Sequence, residues 1–227
     1  MKLSIIIPVY NERDTISEVL KQIDAIDLPL EKEIIILDGC STDGTKEILR
    51  GLEYKNIKVI FESERLGKGY AVRRGFKEAT GDIFLIQDAD LELDPKEYPN
   101  LLKPILDGET EVVFGSRFLN GRGNTRIGSL LGNKVVAWFV NMLYFSRLTD
   151  IGTCYKVFKA TVIKTMKFDC NSFDFDAEIT VKILKKGFKI SEIPIGYNPR
   201  TKDQGKKLHW LIGIKILLIC LKYRFIE

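Results

Sequence analysis

Residues 82–90 read Asp82-Ile83-Phe84-Leu85-Ile86-Gln87-Asp88-Ala89-Asp90. The unbroken apolar run Ile83–Ile86 reads as a short buried strand. Two carboxylates follow at i and i+2, which on extended chain point to the same side. Side by side they repel, unless a cation lies between them or one takes a proton. Magnesium-like hard cations bind one or two carboxylates together with substrate phosphates. The spacing therefore points to Asp88 and Asp90 as a clamp for a hard divalent cation such as Mg²⁺ on a phosphorylated substrate. Glu92 continues the same series as a candidate third ligand. An isolated Asp-x-Asp after a strand is more often a turn cap, so the neighbouring segments decide between the two.

Working outward, 3–9, 33–37, 57–62, 83–87 and 112–115 are apolar, β-rich runs and read as strands. Helical spacing or helix-start signals mark 11–25, 43–49, 68–79 and the stretch opening at Asp94-Pro95. Strands alternating with helices over short connections predict an α/β fold, a mostly parallel sheet with helices on both faces. Ligands of such sheets sit outside the carboxyl ends of the strands. The polar segments fall there: Pro8-Val9-Tyr10-Asn11-Glu12, Asp38-Gly39-Cys40-Ser41-Thr42-Asp43-Gly44-Thr45, Glu62 to Gly69, and Asp88-Ala89-Asp90. Four such segments on one rim predict a nucleotide site.

Composition bounds the alternatives. The 227 residues are 45% hydrophobic and 29% charged, enough for one full core, with neither repeats nor a long polar linker. The net charge of +4 is uneven: 182–227 carries eleven Lys/Arg against three Asp/Glu. That basic end predicts an anionic partner. Cys40, Cys154, Cys170 and Cys220 are far apart in sequence and give no zinc spacing, so a reduced, cytoplasmic setting is expected. The one histidine, His209, has no Ser or Cys motif beside it and supports no hydrolytic triad. Gly67-Lys68-Gly69 lacks the P-loop pattern.

Together these segments resemble family 2 glycosyltransferases of the GT-A fold. Phe114-Gly115-Ser116-Arg117, Thr149 to Lys156 and Phe173 to Glu178 resemble, more narrowly, the polyprenyl-phosphate mannose and glucose transferases. The resemblance covers nearly the whole chain and departs from the family pattern at Asp38-Gly39-Cys40. It implies an inverting transfer of a hexose from a GDP-mannose- or UDP-glucose-type donor to a polyprenyl (dolichyl) phosphate. Pro8, Tyr10, Glu12, Asp38, Lys68, Asp88, Arg200 and Lys206 would then bind the nucleotide sugar, with Asp88, Asp90 and Glu92 holding Mg²⁺ or Mn²⁺ on its diphosphate. Arg117 and Arg126 suit a phosphate monoester, because guanidinium forks match its oxygens. Asn133, seven residues beyond Arg126 on an amphipathic helix, is grouped with them. Asp90 and Arg117 are the expected catalytic groups, joined by Glu178 (or Asp176) as base if the acceptor is instead a sugar hydroxyl. Two other readings stay open: transfer to a sugar hydroxyl in glycan or polysaccharide synthesis, and a non-catalytic nucleotide-sugar or nucleic-acid module.

The C-terminal run Leu208 to Leu221 is short for a membrane span and is interrupted by Lys215. It reads either as a core helix or as a basic, interfacial helix, with Leu208, Leu211, Ile212, Ile216 and Ile219 on one apolar face. The resemblance favours the membrane. The expected organisation is a catalytic domain over 1–205 and an interfacial helix over 206–227, peripheral on the cytosolic face. No spanning helix and no nucleic-acid partner are expected, and the sequence does not specify the oligomeric state.

Overall fold

The computed structural model of the chain describes residues 1–121, 125, 127–200 and 211–226. β1 (Lys2–Val9), α1 (Ile16–Asp24), β2 (Glu31–Asp38), α2 (Thr45–Arg50), β3 (Ile57–Phe61), α3 (Lys68–Glu78) and β4 (Ile83–Ile86) alternate as expected. α1 starts five residues after the beginning of the expected 11–25 span, at the first of its apolar positions, Ile16. Asn11, with φ 55, turns away from the helix. Its backbone N–H donates to Ser41 Oγ, and its side-chain oxygen accepts from Thr42 N. The polar segment after β1 is thereby tied across to the segment after β2.

A 3-10 turn (Pro95–Glu97) capped by Asp94 leads into α4 (Tyr98–Leu106) and β5 (Val112–Ser116). α5 (Ile127–Tyr144), β6 (Lys156–Lys159), α6 (Ala160–Lys164), α7 (Phe175–Lys185), β7 (Ile190–Pro194) and α8 (Leu211–Phe225) follow. The seven strands form one sheet in the order β3-β2-β1-β4-β6-β5-β7. Only β6 runs against the others, pairing antiparallel with β4 and β5. Reversal brings the segment before β6 to the rim where β1, β2, β4 and β5 end. Residues 149–155 thus meet Asp88 and Arg117.

The main core is built on β1, β2, β4 and β5, whose apolar residues are almost wholly buried, and on the inward faces of α1, α3 and α4. A smaller core lies between α5, α7 and α8, around Val140, Val181, Cys220 and Tyr223. The expected interfacial helix is therefore half core. Ile219 and Tyr223 are buried and Ile216 packs beside them. The opposite face, Ile214, Leu218, Leu221 and Phe225, is exposed. Of the face proposed from sequence, Ile216 and Ile219 turn inward; Leu208 and the side chains of Leu211 and Ile212 lie outside the described residues.

Candidate active site

A cavity of about 270 Å³ opens on the rim. Pro8, Tyr10, Glu12, Lys68, Asp88, Asp90, Glu92, Arg117 and Arg200, named from sequence, all line it. Arg126 and Lys206 lie outside the described residues. Asp38, Asn133 and Glu178 do not line it.

The two aspartates follow β4 after Gln87. Burial, then the Asp88 and Glu92 charges, push the Asp90 carboxyl up to about 7. A carboxyl held near neutrality beside another carboxylate is the arrangement that a divalent cation relieves. The donor set fits Mg²⁺ or Mn²⁺: hard oxygens, two from protein, the rest left to phosphate and water. Glu92 does not complete a trio. Its Oε2 accepts from Tyr197 Oη at 3.0 Å and its Oε1 from Arg200 N at 2.7 Å. No group of three metal-ligating side chains converges among the described residues. Glu92 instead anchors the segment after β7 to the segment after β4.

Lys68, at the first turn of α3, straddles Asp88, with Nζ 2.8 Å from Oδ1 and 3.0 Å from Oδ2. Burial works against its charge, but Asp88 outweighs it and the ammonium is held well above the ordinary lysine range. Arg200 spans the mouth. Its Nη1 and Nη2 donate to Glu12 at 3.0 and 2.6 Å, and its Nε donates to the Asp90 carbonyl at 2.9 Å. Arg65, in the β3–α3 connection, lies 3.9 Å from the Tyr10 ring centroid and donates to Tyr10 Oη at 3.3 Å. That connection is legible as a rim segment, but nothing in its spacing singles out Arg65.

Arg117 follows β5 and is gripped from beneath. Its Nε and Nη2 donate to the two oxygens of Asp150 at 2.7 and 2.8 Å, and its backbone N–H donates to the same carboxylate. Burial alone would lower the guanidinium pKa; the bonds and charge of Asp150 raise it. Asp150 is in turn positioned by Glu192, which accepts from the backbone N–H of Thr149 and of Asp150. Asn133 belongs to this support rather than to a phosphate site: its side chain donates to Thr149 O at 2.7 Å and accepts from Ile151 N at 3.2 Å. Arg117 also stands 5.0 Å from the Tyr197 ring, and both residues line a second cavity of about 210 Å³.

Two acidic expectations need correction. Glu178 is fully buried in the first turn of α7. Its carboxylate accepts from Asp169 N, Cys170 N and Lys182 Nζ, which outweigh burial and hold its pKa low. It faces the loop before α7, not the cavity, and can move no proton there. Asp176, two residues earlier, does line the cavity. Burial would raise its pKa, but Lys156, at 2.8 Å, and then Lys68 lower it. Asp38 sits behind the wall, its carboxylate accepting from Ser41 N, and Gly39 forms the lining instead.

Residues 4–171 match the family model described as glycosyl transferase family 2. A dolichol-phosphate mannosyltransferase of Pyrococcus furiosus is 32% identical over 91% of this chain and 59% of its own length. The low-salt glycan biosynthesis hexosyltransferase Agl6 of Haloferax volcanii is 29% identical over 88% of this chain and 49% of its own. The chain thus spans less than two thirds of either relative. Among solved structures, a glucosyl-3-phosphoglycerate synthase from Mycobacterium tuberculosis in complex with UDP aligns over all of this chain and 81% of its own, with TM-score 0.77 and 20% identity. The same enzyme with Mn²⁺, UDP and phosphoglyceric acid gives TM-score 0.76 at 21% identity, over all of this chain and 79% of its own. At those identities the likeness shows the shared GT-A fold.

Proposed function

The chain belongs to glycosyl transferase family 2, and from that footing we propose that it moves a hexose from a nucleotide sugar to a polyprenyl phosphate, with a divalent metal, at a membrane surface. The observation that carries the proposal is that Asp88 and Asp90 line one cavity, close enough for the Asp88 charge to act on Asp90. Those two carboxylates would hold Mg²⁺ or Mn²⁺, which when bound offsets the charge that develops on the departing nucleoside diphosphate. Tyr10, Glu12 and Pro8 would seat the nucleoside. Arg200 and Lys68 place positive charge beside its phosphates. Arg117, held rigid by Asp150, presents the remainder of its guanidinium to the acceptor phosphate. One acceptor oxygen would bond to the anomeric carbon as the bond to the diphosphate oxygen breaks. A phosphate is already ionised at neutral pH, so this chain needs no base for it.

Transfer to a sugar hydroxyl is the second reading, favoured by the ionised, cavity-lining Asp176. Purified protein assayed with GDP-mannose, UDP-glucose and other nucleotide sugars, with and without polyprenyl phosphate, tests both. Loss of transfer in Arg117→Ala with retained donor binding supports the phosphate acceptor. Transfer only to free glycans, abolished by Asp176→Asn, would replace it with the hydroxyl reading.

The membrane surface is supported by two exposed apolar rows. Leu131, Val135, Trp138 and Met142 recur at helical spacing on α5, and Ile214, Leu218, Leu221 and Phe225 on α8, which packs against it. Neighbouring rows of this kind with basic residues among them suit the headgroup boundary. No helix among the described residues is long and apolar enough to cross a bilayer. Peripheral attachment at the cytosolic face is the corresponding proposal, tested by co-sedimentation with anionic liposomes.

A further inference from the structure

We propose that Lys68 is the built-in counter-ion of the metal clamp: it neutralises Asp88 until a nucleoside diphosphate draws it away, so that divalent metal and nucleotide bind as a linked pair. The inference rests on the metal and donor roles proposed above and adds how the two are coupled.

The Lys68 ammonium contacts both oxygens of Asp88. A hard cation held by the same carboxylate would compete for the oxygens that the ammonium contacts. Ammonium and metal would then be neighbouring like charges, and they repel. The Lys68 side chain is only 15% exposed, so water does not take over when Asp88 is withdrawn. The other carboxylate near it, Asp176, is already matched by the fully buried Lys156. Metal alone would thus leave a buried ammonium without its own anion, which is costly. A diphosphate supplies that anion and further metal ligands at once.

The backbone of Lys68 cannot follow the charge. Tyr70 N–H donates to Asn171 O at 3.1 Å. A Cβ at Gly69 would come within 2.6 Å of Phe175 Cβ and 2.7 Å of Cys170 O. The start of α3 is therefore wedged against the loop before α7, and the transfer from carboxylate to phosphate is made by rotation of the lysine side chain alone. Glu62 and the other acids of the β3–α3 connection do not reach this ammonium; Asp88 is the carboxylate it pairs with among the described residues.

Mn²⁺ binding to the full chain, followed by electron paramagnetic resonance and calorimetry with and without GDP or UDP, tests the coupling. In the wild type, nucleotide should tighten Mn²⁺ by at least about tenfold. Lys68→Gln, which keeps a hydrogen-bonding side chain, should bind Mn²⁺ alone about tenfold more tightly than the wild type and bind nucleotide more weakly in EDTA, so the coupling factor shrinks. Lys68→Arg should retain the wild-type pattern. Unchanged metal affinity in a folded Lys68→Gln protein overturns the proposal while leaving the metal and donor roles intact. If that variant does not fold, equal Mn²⁺ affinity with and without nucleotide in the wild type overturns it. Absence of any Mn²⁺–nucleotide binding in the wild type overturns the metal role as well.

Discussion

Asp90 keeps its proton to about pH 7, chiefly through burial and then the Asp88 and Glu92 charges. Its ordinary value is 3.8, so between these values the folded chain binds more protons than the unfolded one. Stability of the chelated protein should therefore be greatest at the acid end of that window and fall as pH rises through it. Asp90→Asn should flatten this fall and abolish Mn²⁺-dependent nucleotide binding. A residual slope of the same sign is expected from Glu192, whose carboxyl burial also raises. Urea midpoints in EDTA across the window check both; an unchanged slope would contradict the assignment. Arg117 poses the opposite case, a charge whose partner is wholly buried. Asp150→Ala should cost about 3 kcal/mol, read from urea unfolding, because the guanidinium is left unmatched.

At the scale of elements, α8 separates core from surface within one helix. Tyr223 is buried, donates to Asp169 Oδ2 at 3.1 Å and lies beneath Lys182 Nζ, 4.2 Å from its ring centroid. Tyr223→Ala should destabilise by about 3 kcal/mol. Leu218→Glu, on the exposed face, should change stability by less than about 0.5 kcal/mol yet reduce sedimentation with anionic liposomes. The sequence could not separate these faces. Residues 216, 219 and 223 and residues 214, 218, 221 and 225 are all apolar or aromatic, so the helical period has no polar side against which to orient. Glu178 misleads for a related reason. Its place near the start of α7 is legible, but Cys170 and Asp169, which take its carboxylate, reach it through a loop with no periodic signal.

Across the whole molecule, strand and helix order from β1 to β5 was readable because each strand is a short apolar run closed by a polar rim segment. The direction of β6 was not, since side-chain alternation is the same for a strand run either way. The Arg117–Asp150 pair depends on that direction, so spacing alone does not show which carboxylate meets the arginine. The two halves of the chain also meet at Gly69, where a methyl would strike Phe175 Cβ and two backbone oxygens. Gly69→Ala should therefore destabilise by about 2 kcal/mol and weaken nucleotide binding, measured by thermal unfolding and calorimetry; normal binding at normal stability would show the contact to be yielding.

Glu12 and Arg200, joined by two hydrogen bonds at the mouth, are 188 positions apart. Pairings across so long a span carry a large loop-closure entropy and form late. The sheet neighbours β1, β2 and β4 involve much shorter spans and can assemble first. In time, then, the carboxylates and Lys68 are in place before Arg117 and Arg200, the basic residues that come later in the chain. A growing polypeptide that has folded its first hundred residues carries the acidic floor without its roof, and affinity for the donor is among the last properties the molecule acquires.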